Sequence, residues 1–438
     1  MWHALLSVAS LILGVTLMQI GNGQFGTFLS VRMQAEGFSS LTIGIVGSAY
    51  FAGFILGTVY CDRLVERAGH IRAFAALASL MSAVALLHAL VIEPWTWTLM
   101  RLVTGCCIAG LFVITESWIN ERATNEMRGQ IFAIYMIASY LALGGGQFLL
   151  GFGETAGLQQ FLFASLLFSL SLVPIALTKA ASPAPVERAP FNFVRLYRIS
   201  PLGVIGCLAC GLINGAFYPL GPVFARGVGL DVDFVSYFMG ITILSGLLLQ
   251  LPIGRLSDRL DRRSIMVAVL AAVAAVSFAI VAVARGDPAV LIGFGALYGG
   301  FVFTIYPLAV AHVNDHIEPH ELVAVSAGLI LIYGIGAAAG PLIASTVIDS
   351  AGPQGLFLFT GGMASVVALF GLYRMTRRQA VPVDEQGPFV TMNRTTAVIG
   401  ALDPRAEPEE QYEMAFEDDP EDDAAAAAAD PISPQPRI

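Results

Sequence analysis

Twelve apolar stretches, each close to the length of a membrane-crossing helix, run through this chain of 438 residues. A hydrocarbon core of about 30 Å calls for about 20 apolar residues at 1.5 Å rise per residue. Windows of that length fall at 5–28, 40–60, 73–92, 95–119, 130–152 and 158–178, and again at 201–224, 234–254, 264–284, 289–313, 323–347 and 355–374. Backbone groups must be satisfied internally in lipid, so the spanning elements are helices or a closed barrel, and barrel strands would read as alternating segments of about ten residues. The sequence contains no such alternation. Only 13% of residues are charged, against roughly a quarter in soluble domains. The first stretch exceeds the apolar region of a signal peptide and has no basic residues before it, so it reads as a retained helix.

The two sets of six spans repeat one another. Gly57, Asp62, Arg63 and Arg67 after the second span return as Gly254, Asp258, Arg259, Arg262 and Arg263 after the eighth. Thr104-Gly105 through Gly146-Gln147 lie without gaps on Tyr298-Gly299 through Gly340-Pro341 at one constant spacing. The expected fold is therefore an all-α membrane protein of twelve transmembrane helices in two pseudo-symmetric six-helix bundles. Its parts are an N-terminal half (1–178), a linker (179–200), a C-terminal half (201–374) and a tail (375–438).

Arginine and lysine near span ends set orientation. With the N-terminus inside, sixteen of them, from Arg63 to Arg378, face the cytoplasm, against Arg32, Arg226 and Arg285 outside. Both termini and the linker are then cytoplasmic, in a multi-pass membrane protein. The net charge of −9 belongs to the tail, whose 14 acidic residues face 5 arginines. The tail reads as disordered, having too little apolar content to offset the entropy of ordering. Its acidic run Glu417–Asp423 is a candidate docking segment for a cytoplasmic partner. Cys207 and Cys210 fall in an apolar span away from histidine or basic residues, and read as small hydrophobes.

These residues carry a family resemblance. Gly254-Arg-Leu-Ser-Asp258-Arg259-Leu-Asp-Arg262-Arg263 after span eight, its looser copy from Gly57 to Arg72, and Arg101-Leu-Val-Thr-Gly105 in span four resemble the major facilitator superfamily, in particular an uncharacterised bacterial branch. Asp261 replaces a usual glycine, and Gly144-Gly145-Gly146-Gln147 departs from the proline expected of drug antiporters. The resemblance covers about residues 5–374. It implies a secondary active transporter that moves a small solute by alternating access, with the site near mid-membrane and protons as the coupling ion.

Ionisable residues inside spans are costly and tend to be functional. Arg101 and Glu116 sit on one helix about 22 Å apart along its axis, too far for an ion pair. Arg101 is a candidate for an anionic solute group. Glu116 is a candidate for coupling, or for a gate with Arg122 or Arg128. Gln19 and Asn22, Asn214 and Tyr218, and Tyr298 and Tyr306 suggest a polar pathway between the halves. Asp62 and Asp258 can cap helix N-termini, and Arg63, Arg259 and Arg262 can bridge the seam between halves as latches. Gly105, Gly146, Gln147, Gly336, Gly340 and Pro341 read as packing notches.

The pattern offers no phosphate loop, metal-ligand cluster or nucleophile elbow, so neither an enzyme nor a cofactor is expected. The basic residues sit at membrane edges, which argues against nucleic acid as a partner. A solute and the lipid bilayer remain. The alternative class is a non-transporting sensor or scaffold that works through the acidic tail.

Overall fold

The computed structural model describes residues 2–122, 128–154, 157–177, 193–377, 379–391 and 394–396. The N-terminal half holds α1 (Trp2–Ala35), α2 (Ser40–Ala68), α3 (His70–Leu90), α4 (Pro94–Arg122), α5 (Arg128–Gly145), which continues as a 3-10 turn over Gly146–Gly151, and α6 (Gln159–Ala176). A short helix α7 (Phe193–Ile199) lies within the expected linker, whose residues 179–192 fall outside the described set. The C-terminal half holds α8 (Pro201–Gly227), α9 (Val232–Ser257), α10 (Arg262–Val283), α11 (Pro288–Val302), α12 (Ile305–Asn314), α13 (Leu322–Ala351) and α14 (Gly355–Met375). Among the described residues, twelve stretches are long and apolar enough to span a bilayer, with α11 and α12 counting as one.

Helix starts follow from short polar side chains that satisfy otherwise unpaired first-turn N–H groups. Ser39, Ser200, Asp231, Asp261 and Asp287 cap α2, α8, α9, α10 and α11 in this way. Asp261, which stands where the related motif has glycine, thus has a structural task. It accepts from the Arg263 backbone N–H at 3.0 Å and from the Arg263 guanidinium at 3.1 Å. Partial burial works to raise its carboxyl, but the bonds and charge of Arg263 outweigh burial and hold it below the usual carboxylate range. A group depressed in the folded state contributes in full above its unfolded pKa and loses that contribution as pH falls through the folded value. Asp261→Ala is expected to cost about 1 kcal/mol at neutral pH. Melting temperatures of the two proteins should converge only under acid conditions; a gap that stays constant across that range would exclude an ionised cap.

The repeated charged segments differ in structure. In the second half, α9 ends at Ser257 and Asp258–Asp261 form a turn. In the first half, α2 runs on to Ala68 and is ended by Gly69 at φ 77°, a conformation glycine adopts without penalty. Asp62, Arg63 and Arg67 are therefore in the last turns of a helix, not in a loop.

The duplication is visible in the packing. In the first half the principal pairs are α2 with α4, α1 with α6, α3 with α6 and α1 with α5; in the second, the counterparts are α9 with α11, α8 with α14, α10 with α14 and α8 with α13. Gly105 of α4 lies against the Tyr50 carbonyl of α2, and its counterpart Gly299 of α11 against the Thr242 carbonyl of α9. Gly146 abuts the Ile20 carbonyl of α1, while Gly336 and Gly340 abut those of Leu208 and Leu212 on α8. Small residues at these crossings let helix backbones touch, which in lipid replaces hydrophobic driving force with close packing.

Two spans are interrupted. The tenth, expected to be continuous, breaks at Phe303-Thr304. Pro307 has no N–H to return to the Phe303 carbonyl four residues earlier; Gln250 Nε2 supplies the missing donor at 3.0 Å. The fifth tightens at Gly146–Gly151. There Gln147 Nε2 donates to the Gly23 carbonyl at 2.9 Å, and Thr27 Oγ1 donates to Gln147 Oε1 at 2.5 Å.

The tail departs most from expectation. Residues 379–391 and 394–396, expected within a disordered segment, pack on the end of the bundle that carries Asp62 and Asp258, the basic end. The acidic run 417–423 lies outside the described residues.

Candidate functional site

The two halves meet chiefly away from the basic end. Gly44 of α2 lies against Pro341 and Ser345 of α13, Gly47 against Pro219 of α8, and Gly144 against Leu244 of α9. Ser236 Oγ donates to the Gln147 carbonyl at 2.9 Å across the same seam. Below these contacts lies an open cavity, whose empty space together with the solvent at its mouth is about 1210 Å³.

The N-terminal half contributes Gln19, Asn22, Tyr50 and Arg101 to the wall. Asn22 donates to Gln19 Oε1 at 3.3 Å, and the Arg101 guanidinium lies 4.3 Å from the Tyr50 ring centroid. That cation–π contact fixes a long cationic side chain. Tyr218 and Tyr333 come from the C-terminal half, with Arg394 and Thr395 from the tail.

Of the pathway residues expected, Gln19, Asn22, Arg101 and Tyr218 line this cavity, and so does Gln147, expected only as a notch. The other three stand behind the wall. Asn214 is buried and donates to Cys210 Sγ at 3.0 Å. Tyr298 packs against Phe217 and Phe357, and Tyr306 against Tyr333 at 5.5 Å between centroids. Helical spacing specifies a shared face but not which face meets the cavity.

Glu116 is fully buried on α4. Tyr135 Oη donates to its Oε1 at 2.7 Å, and the Thr395 and Thr396 hydroxyls donate to its two oxygens. The partners expected, Arg122 and Arg128, have side chains outside the described residues.

The latch residues also sort differently from expectation. Arg262 and Asp258 are built into a network, and that network joins elements of the C-terminal half to the tail rather than to the N-terminal half. Arg262 Nη1 reaches both oxygens of Asp315 at 2.7 Å, while its Nη2 reaches Asp258 at 3.0 Å and the Gly387 carbonyl at 2.8 Å. Asp258 does not cap a helix N-terminus; it accepts the Phe389 N–H at 2.8 Å, and Asp315 accepts the Gly387 N–H at 3.1 Å. The motif glycine Gly254 leaves room for the Phe389 ring. Arg63 is exposed over Tyr60, 5.5 Å from the ring centroid, and Arg259 is exposed. Asp62 is half-buried near the end of α2.

Sequence reasoning passed over the lining residues Tyr50 and Tyr333 and the tail around Arg394 and Thr395. A signal for the last is present: the short apolar runs Pro388-Phe389-Val390 and Ala397-Val398-Ile399 flank Arg394 ahead of the acidic run.

The sequence matches the family model described as Major Facilitator Superfamily over residues 11–246 and 203–404. It is 26% identical over 364 residues to the uncharacterized MFS-type transporter YcaD of Escherichia coli, covering 83% of this chain and 94% of that relative. In structure it resembles the nucleoside transporter NupG with a TM-score of 0.72 at 16% identity, over 85% of this chain and 99% of that one. A D-xylose-proton symporter aligns with a TM-score of 0.61 at 14% identity, over 83% and 96% of the two chains. With two six-helix halves around a shared cavity and a family match across both, this chain is a multi-pass membrane protein that belongs to the major facilitator superfamily of transporters, on the bacterial branch that includes YcaD.

Proposed function

We propose that this chain moves a small solute by alternating access, coupled to protons, with the basic end at the cytoplasm. The observation that carries this reading is the open cavity lined by Gln19, Asn22 and Arg101 from one half and by Tyr218 and Tyr333 from the other. Solute sites at the interface of repeated halves fit rocking of one half against the other. Contacts between the halves at the end away from the basic loops fit a state closed on that side and open toward the cytoplasm. The distribution of arginine and lysine supports the orientation.

In this scheme Arg101, held over Tyr50, receives an anionic group of the solute, and Gln19 and Asn22 supply amide donors and acceptors. Glu116 carries the coupling proton. Its hydrogen bonds from Tyr135, Thr395 and Thr396 all come from hydroxyls, partners that can serve a carboxylate or rotate to accept from a carboxylic acid. Keeping a charged carboxylate away from water is costly, and a proton removes that cost.

The test is solute-driven pH change in proteoliposomes, with solutes first selected by thermal stabilisation of the purified protein. The wild type is expected to acidify or alkalinise the lumen when the solute is added. Glu116→Gln should retain solute exchange and lose the pH signal, and Arg101→Ala should lose stabilisation by the solute. Undiminished proton movement in Glu116→Gln would remove Glu116 from the coupling role.

A further inference from the structure

The aromatic side chains around Phe303 form an enclosure that already holds a cation. The Arg394 guanidinium lies 5.1 Å from the Phe303 centroid and 5.7 Å from that of Tyr333. Tyr140, Tyr218 and Cys210 are its further neighbours. The ring faces present negative potential to a cation, and the attraction grows where water is excluded. Arg394 is the one basic residue between Arg378 and Arg405, in a tail dominated by carboxylates. That this residue enters the enclosure, from a tail in which acidic residues outnumber basic ones, fits a wall selective for positive charge.

The enclosure is held by groups outside the tail. Phe303 sits at the break between α11 and α12, with its carbonyl tied to Gln250, which also donates to Tyr140 Oη at 3.1 Å. Tyr140 and Tyr218 pack on the Phe303 ring at 6.3 and 6.1 Å between centroids, and Tyr333 packs on Tyr306. The tail reaches it between two anchors. Asp258, Asp315 and Arg262 hold the backbone of Gly387 and Phe389 before Arg394, and Glu116 holds Thr395 and Thr396 after it. Because the segment is covalently joined to α14, its entry into the enclosure is intramolecular, and a free solute competes against a high effective concentration of Arg394.

We infer that this wall is a cation subsite for a guanidinium or ammonium group of the transported solute, and that Arg394 occupies it as an internal ligand, so that tail and solute compete. The inference rests on the reading of the cavity as the solute site. It names a chemical class for part of the solute and gives the tail around Arg394 a task, limiting access until a cationic solute displaces it.

The test uses the full chain and ethylguanidinium as the probe, with potassium chloride at matched ionic strength as the control. Thermal unfolding of purified wild type and Arg394→Ala is followed over a millimolar titration. Arg394→Ala is expected to show a saturable rise in melting temperature that potassium does not reproduce, with an apparent affinity about tenfold or more above that of wild type, whose subsite is filled. Such a factor corresponds to about 1.4 kcal/mol. Phe303→Leu or Tyr333→Leu in the Arg394→Ala background, whichever remains monodisperse, should remove the rise. No saturable rise in Arg394→Ala, equal affinity in wild type, or a rise that survives loss of the rings would each overturn the inference. Because binding is read without transport, a cation that binds but is not carried leaves the subsite intact and counts against the transport reading instead.

Discussion

Arg262→Ala lowers the stability of the folded protein by about 3–5 kcal/mol, the range expected when one member of a buried ion pair is removed and the other remains. The Arg262 and Asp315 side chains are each 1% exposed, and the guanidinium also serves Asp258 and the carbonyls of Ala311 and Gly387. Alanine takes away the charged partner that the buried Asp315 carboxylate needs. Lysine keeps the charge but not the planar fork that reaches several acceptors at once, so Arg262→Lys falls between wild type and Arg262→Ala. The double variant Arg262→Met/Asp315→Leu recovers much of the loss, because removing both charges leaves neither uncompensated. Unfolding in mixed detergent, followed by tryptophan fluorescence, measures all four proteins. A double variant no more stable than Arg262→Ala would show that the loss arises from packing rather than stranded charge.

Gly105→Leu and Gly299→Leu are expected to abolish the folded state or to destabilise it by more than the roughly 1–3 kcal/mol typical of overpacking. A side chain at either position would run into a backbone carbonyl on the neighbouring helix, Tyr50 for Gly105 and Thr242 for Gly299. A carbonyl cannot rotate away as a side chain can, so the helices must separate and give up the close packing that holds them in lipid. Gly293→Ala and Gly362→Ala provide the contrast, since a Cβ at either meets nothing within 4 Å. These should be neutral or stabilising by about 1 kcal/mol, from alanine's better helix propensity. Yield of monodisperse protein and melting temperature read the outcome; a well-folded Gly105→Leu would show that the α2–α4 crossing can open without loss.

The equivalence of Gly105 and Gly299 is legible in the sequence, because a gap-free repeat places both at the same register of the same helix pair. The spans are legible for a related reason: transfer of a helix into lipid depends on about 20 consecutive residues, all local in sequence. The break at Phe303 is less so. Pro307 marks a missing N–H, but the donor that replaces it, Gln250, comes from another helix. The site is legible in part. Gln19, Asn22, Arg101 and Tyr218 stand out as polar groups in apolar surroundings, whereas Phe303 and Tyr333 resemble every other aromatic residue in a chain with 28 phenylalanines and 12 tyrosines. An aromatic ring becomes a cation site only when neighbours aim its face.

The chain's own chemistry determined that it spans a membrane twelve times, that its halves are copies, and that its arginines gather at one end. Each follows from composition and spacing along a single helix or loop. Only the tertiary structure decided that Arg262 ties one half together rather than latching two, and that a stretch of the acidic tail enters the cavity. The Thr395–Glu116 bond joins residues 279 positions apart. Polar groups such as these have no preferred partner until the helices enclose them and exclude the water that would otherwise satisfy them.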